Sequence, residues 1–162
     1  MKTIKRKNHV TAAVAVYLVL KRADKILFGR RQNTGYQDGN WQVFAGHVES
    51  GELPSEAAIR EAKEELGIDI LPENLNLLHV SARPEHDGTG NRVDFVYEIY
   101  RWSGGIVNME PEKCSEMAWV DEDALPENTV PHVRYFLERM RERLWHSEIR
   151  LVWLQAQPLY KL

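Results

Sequence analysis

Apolar residues recur along this chain with two different periods, and the switch between them separates strands from helices. From Val10 to Leu20 (VTAAVAVYLVL) the run is continuously apolar and rich in Val, and Lys25 to Arg31 (KILFGRR) follows after only Lys21-Arg22-Ala23-Asp24. So short a connection between two β-rich runs predicts an antiparallel hairpin whose first strand is buried on both faces. Gln32 to Asn40 (QNTGYQDGN) has the Gly, Asn and Asp content of a loop, and Trp41 to Ala45 predicts one short strand after it. Leu75 to Arg83 and Val93 to Arg101 predict two more strands, joined by the polar bridge Pro84 to Asn91 and followed by the turn Ser103-Gly104-Gly105. Met117 to Val120 predicts a further short strand.

Two segments carry the helical period instead. Ala57 to Leu66 lacks Gly and Pro and is rich in Ala, Glu and Lys, with Pro54 just before it and Gly67 just after, as a helix starting and stopping there requires. From Pro131 onward Val133, Phe136, Leu137, Met140 and Leu144 recur at spacings of three and four, opposite Arg134, Arg139, Arg141 and Glu142. That pattern predicts a second helix packed on the sheet. Ile149 to Gln155 reads either as a last edge strand or as an irregular tail. No repeat or low-complexity linker divides the chain, and 162 residues at 43% hydrophobic content predict one domain over 1–162, with 1–9 as a polar tail.

Charge narrows the partners. With 21 Lys and Arg against 24 Asp and Glu the net charge is -3, which provides no basic field for coating nucleic acid, so a small molecule is the expected partner. The single cysteine, Cys114, cannot close an internal disulfide and is read as a small core residue; no Cys/His cluster has zinc-site spacing. Lys2, Lys5, Arg6 and Lys7 ahead of the apolar run imitate a signal peptide, yet Lys21 and Arg22 follow without a small-residue cleavage pattern, and the run is too short to span a bilayer. A cytoplasmic protein without membrane association is expected. The apolar segment Leu151 to Leu154 suits a dimer contact, so monomer and homodimer both stand.

Chemistry concentrates on the first helix. At 100° per residue Glu61, Glu64 and Glu65 fall within about one-quarter of its circumference, beside the packing face of Ala58, Ile59, Ala62 and Leu66. Three like charges so placed repel one another, and a hard cation removes the conflict; carboxylate oxygens suit Mg²⁺, with Mn²⁺ as a substitute. Arg60, four residues from both Glu56 and Glu64, can orient a carboxylate. A lone glutamate pair is usually a solvated helix face, but this one has company. Gly46, Glu52, Arg60, Glu61, Glu64, Glu65, Gly67 and Ile68 fit the pattern G-x5-E-x7-R-E-U-x-E-E-x-G-U, with U a bulky aliphatic residue, at a stringency that average residue frequencies do not reach by chance.

On these residues the chain resembles the Nudix hydrolase family, departing from it with Ala62 at the first U and with Phe44-Ala45 where many relatives carry Pro-Gly. The resemblance implies an α/β fold, a Nudix-type α/β/α sandwich with a mixed β-sheet. It implies Glu61, Glu64 and Glu65 as metal ligands, the Gly46 carbonyl as a further ligand, Arg60 as the orienting residue and Glu52 as a loop-stabilising or outer-metal acid. The implied activity is Mg²⁺-dependent hydrolysis of a phosphoanhydride, with Glu61 as first choice for the base and Glu98, Glu110, Glu112 and Glu116 in reserve, each more simply a surface residue.

The substrate lies outside that pattern. Met109 to Cys114, Trp119-Val120 and Leu125-Pro126 are similar to a segment of MutT-like nucleoside triphosphate diphosphatases, which favours an NTP or modified dNTP cleaved to NMP and diphosphate. Arg30 and Arg31 are expected to meet phosphate, Glu112 to lie at the substrate, and Tyr36, Trp41 or Phe44 to stack on a base, ordinary packing being the plainer reading of each aromatic. A nucleotide-sugar or ADP-ribose pyrophosphatase is the alternative within the same chemistry. A non-hydrolysing nucleotide-binding module is the alternative outside it, opposed by the intact glutamates. A Nudix-fold isomerase lacks its cysteine-containing site here.

Overall fold

The structure is a computed structural model, and it describes residues 10–85 and 90–149. The tail at 1–9 and the segment Leu151 to Leu154 lie outside those residues. Among the described residues, eight strands and two α-helices follow in the order β1 (Ala12–Arg22), β2 (Lys25–Arg31), β3 (Trp41–Gln42), β4 (Phe44–His47), α1 (Pro54–Leu66), β5 (Asn76–Arg83), β6 (Asn91–Ile99), β7 (Cys114–Asp121), α2 (Pro131–Arg141) and β8 (His146–Glu148), with one short 3-10 turn at Pro72–Asn74.

The sheet is mixed, and β1 is its axis. One edge of β1 pairs in parallel with β6 from Ala12↔Asn91 to Leu20↔Ile99. Its other edge changes partner midway, taking β4 antiparallel from Ala15 to Leu18 and then the hairpin partner β2 at Lys21 and Arg22. From β6 the sheet continues through antiparallel β5 to parallel β8; from β2 it continues through antiparallel β7 on one edge and β3 on the other.

The alternation of a strand sends successive β1 side chains to opposite layers. Val16, Leu18 and Leu20 pack with Phe44 and with Ala57, Ala58, Ala62 and Leu66 of α1. Ala15, Tyr17 and Val19 pack with Val43, Val96, and Val133, Phe136 and Leu137 of α2. The result is helix, sheet, helix: the expected α/β/α sandwich. Among the described residues no helix is long and apolar enough to cross a membrane.

Several boundaries differ from the sequence reading, each for a visible reason. Trp41 to Ala45 is two strands, because the chain leaves β2 for β1 at the fully buried Val43. The strand expected at Met117 to Val120 begins already at Cys114, where it meets Arg31 across a register shift. Leu144 does not continue the apolar stripe of α2: the helix stops at Arg141, Arg143 turns left-handed at φ 59°, and Leu144 is exposed. Of the segment Ile149 to Gln155 only Ile149 is described; it is buried just past β8, and the strand itself lies before it.

Candidate active site

Helix α1 begins with Pro54 at its first turn, where the Glu56 side chain turns back to accept from the Leu53 N–H at 2.8 Å. It ends on Gly67 in the left-handed conformation at φ 69°, whose N–H reaches the Lys63 carbonyl at 3.0 Å. These caps fix the rotation of the helix: Ala58, Ala62 and Leu66 are buried on the sheet, which turns Glu61, Glu64 and Glu65 toward the end of β4.

There a cavity of about 510 Å³ opens between α1, the Arg30 end of β2, β4 and the segment leading into β7. Five glutamates line it: Glu49, Glu61, Glu64, Glu65 and Glu110. Glu61 is largely covered and Glu64 more than half exposed, with side-chain exposures of 12% and 56%. Glu65 accepts from the Ala45 N–H at 3.2 Å. Burial, reinforced by the neighbouring Glu61 and Glu110, pushes its carboxyl up to about 8. Burial also raises the Glu61 carboxyl, against the opposing pull of Arg60.

Arg60 ties the group together. Its Nε and Nη2 form a two-pronged pair with Glu52 at 2.9 and 3.0 Å, Nη2 also donates to the His47 carbonyl, and Nη1 donates to Glu61 at 2.8 Å and Glu64 at 3.1 Å. Those hydrogen bonds hold the Glu52 carboxyl below its usual range. Glu56, expected within reach of Arg60, serves the helix cap instead.

The donors fit a hard divalent cation. They are all oxygen, several carboxylates crowd one wall, and residue 46 must be glycine because a Cβ there would overlap the Glu61 carboxylate. With Arg60 Nη1 lying between Glu61 and Glu64, no three His, Cys, Asp or Glu side chains among the described residues converge at ligand spacing. The residues that could hold the ion are Glu61, Glu64 and Glu65, with the Gly46 backbone beside them.

The other sequence candidates divide. Arg30 and Arg31 both line the cavity, and Arg31 is oriented by the Tyr36 carbonyl at 2.7 Å and the Thr34 hydroxyl at 2.8 Å while lying 5.6 Å from the Tyr36 ring centroid. Phe44 is only 6% exposed and presses on Gly29, so little of its face is left for a base. Glu112 does not line the cavity: its exposed side chain lies on the 108–113 segment, which is fixed by Asn33 Nδ2 donating to the Glu112 carbonyl at 3.0 Å. Of the reserve bases, Glu110 lines the cavity beside Lys113 at 2.7 Å, Glu98 is buried against Lys21, and Glu116 is 4.0 Å from Arg30. Cys114 is half-buried, packed against the α1-side core while also lining the cavity. The sequence reading passed over Gln42, His47, Glu49 and Asn108, which topology alone brings here.

The family model for the NUDIX domain matches residues 9–140. The chain belongs to that family. It is 30% identical over 137 residues to an ADP-ribose pyrophosphatase of Methanocaldococcus jannaschii, covering 85% of this chain and 78% of the relative. A MutT Nudix hydrolase from Burkholderia pseudomallei is similar in structure at a TM-score of 0.72 and 27% identity, over 79% of this chain and 97% of that one. A bifunctional NMN adenylyltransferase/ADP ribose pyrophosphatase from Francisella tularensis, solved with AMP and a manganese ion, shares the fold at a TM-score of 0.65 and 18% identity, over 86% of this chain and 44% of that one. As a Nudix pyrophosphohydrolase the chain acts on nucleoside diphosphate-linked substrates, and hydrolases of this family generally use a divalent metal.

Proposed function

We propose that the chain hydrolyses an NTP or a modified dNTP to NMP and diphosphate, with Mg²⁺ held by Glu61, Glu64, Glu65 and the Gly46 carbonyl. The observation that carries this reading is the gathering of the α1 glutamates and Glu110 around one cavity that also presents Arg30, Arg31 and Lys113. Held there by those oxygens, a divalent cation would supply positive charge toward phosphate oxygens and lower the pKa of a water. Glu61, largely covered on the cavity wall, is the first choice to take the proton from a water there. Arg60 sets the Glu61 and Glu64 carboxylates and, through Glu52 and the His47 carbonyl, the loop between β4 and α1. Arg30, Arg31 and Lys113 neutralise the polyphosphate; Phe44 lines the same cavity but is only 6% exposed, and Tyr36, stacked on Arg31, does not line it. Glu110 is the second choice of base.

A second reading is ADP-ribose or nucleotide-sugar hydrolysis, favoured by the similarity to the M. jannaschii enzyme. Incubation with NTPs, oxidised dNTPs, ADP-ribose and nucleotide sugars, with products separated by chromatography, decides between them. Diphosphate released from triphosphates supports the first reading; paired monophosphates from ADP-ribose support the second. No hydrolysis of any member with Mg²⁺ present overturns both.

A further inference from the structure

A second cavity, of about 250 Å³, lies across β4 from the first, on the α2 face of the sheet. Ala15 and Tyr17 of β1 and His132 of α2 form its floor, Tyr17 Oη and His132 Nε2 being hydrogen bonded at 2.9 Å. Gln42, Ala45, Gly46, His47 and Arg31 border both cavities, so the two communicate over the end of a strand that carries small side chains at the crossing.

The balance of charge shifts at that crossing. The first cavity sets five glutamates against Arg30, Arg31, Arg60 and Lys113; the second is lined by Arg31, Arg83 and Arg92, and by no carboxylate among the described residues. Among the described residues, only Arg83 of these three is paired with a buried carboxylate, the fully buried Asp94, at 2.7 and 3.2 Å. The bonds of Arg31 go to the Tyr36 carbonyl and the Thr34 hydroxyl, and Arg92 Nη1 lies 2.8 Å from His47 Nε2; none of these partners is a carboxylate. Among the described residues, Arg31 and Arg92 thus face a concave space with no carboxylate bonded directly to either, Asp38 reaching Arg31 only through the Thr34 hydroxyl, and a planar fork there matches a phosphate. At about 250 Å³ the space is smaller than a pocket for a whole ligand, which runs from about 300 Å³ upward, and suits one end of a molecule whose other end fills the first cavity.

We propose that this second cavity binds a phosphate carried by the substrate apart from its scissile anhydride, so that a nucleotide of the proposed kind that bears such a further phosphate binds more tightly than the same nucleotide without it. The proposal rests on the reading that the glutamate-lined cavity holds the scissile anhydride. Its source is either a phosphate monoester on a small nucleotide or the internucleotide phosphate of a short RNA.

Equilibrium calorimetry with the full chain and Mg²⁺ tests this without requiring turnover. Adenosine 3′,5′-bisphosphate is expected to bind at least about tenfold more tightly than AMP, as one added charge-assisted contact implies. Arg92→Met, with Arg92→Gln as the milder variant should the first not fold, is expected to bring that ratio within about twofold, whereas Arg22→Met, on the far side among Trp102 and Trp119, is expected to leave it unchanged. The 5′-phosphorylated dinucleotide pApA separates the sources: binding tighter than the bisphosphate assigns the site to RNA, and weaker binding assigns it to a small nucleotide. Equal affinity for AMP and the bisphosphate, or a ratio that survives loss of the Arg92 guanidinium, overturns the proposal. A ratio present in a protein that hydrolyses nothing leaves the cavity standing and removes the proposed reaction, and hydrolysis with a ratio of one does the reverse.

Discussion

Gly46 has no side chain, yet it sets the position of one that matters. A Cβ at this point would overlap the Glu61 carboxylate, so Gly46→Ala must either turn Glu61 away or push β4 off α1. Overpacking of this kind costs about 1 to 3 kcal/mol, while a displacement of about 1 Å in a reacting group costs on the order of 10² in rate. The expected outcome is a kcat lowered about a hundredfold with a folded protein, read from steady-state kinetics beside a thermal melt; wild-type kcat in the variant counts against Glu61 as the base. The same residue shows how a motif was legible when its reason was not. Gly46 is visible in the sequence as a fixed position, but the need for glycine there is steric and comes from α1 fifteen residues later. Glu112 is the converse: a glutamate within a recognisable segment, whose neighbour two positions earlier, Glu110, is the one that reaches the cavity.

At the scale of elements, β5 and β6 are joined by a buried ion pair as well as by backbone bonds. Arg83 and Asp94 are 6% and 0% exposed, and removal of the guanidinium strands a buried carboxylate. Arg83→Met is therefore expected to cost about 3 to 5 kcal/mol, measured by denaturant unfolding; a loss below about 1 kcal/mol is what an exposed pair would give. Both helices and the β1–β2 hairpin were legible because each carries a strong periodic or turn signal and a cap, Pro54 and Gly67 for α1 and Pro131 for α2. The split between β3 and β4 was not, since Val43 is apolar like its neighbours and only the exchange of partner strands marks the break. Leu144 continued the helical spacing by coincidence: its carbonyl accepts from the His79 ring rather than extending the helix. Arg83 and Arg92 stand out as charges inside apolar runs, but nothing in one-dimensional order says that antiparallel register places them side by side.

Across the whole molecule, His79 links the sheet to the chain beyond α2. It is fully buried, with ring nitrogens at 2.7 Å from the Leu144 carbonyl and 2.8 Å from the Ser147 hydroxyl, and burial holds its pKa below the ordinary 6.5. Because the folded value is the lower one, the unfolded chain takes up the proton first. The stability from neutral His79 is complete above pH 6.5 and is lost as pH falls through the depressed folded value. The drop in Tm between pH 7.5 and pH 5.5 is expected to be smaller in His79→Gln than in wild type, and an equal drop would remove His79 from the acid response. The larger design is a sheet with a glutamate-lined cavity on its α1 face and an arginine-lined one on its α2 face, meeting at β4. The first was legible because its donors lie on one helix turn apart from Gly46; the second was not, because its residues are scattered over β1 to β6, α2 and the loop at Tyr36. The most direct test of the glutamate site is Mg²⁺-dependent phosphoanhydride hydrolysis by wild type, Glu64→Gln and Glu65→Gln, each checked for folding by thermal melt. Both variants are expected to remain folded and to lose at least about 10² of the wild-type turnover, as removal of a single transition-state contact does elsewhere. Undiminished turnover in both folded variants would contradict the assignment.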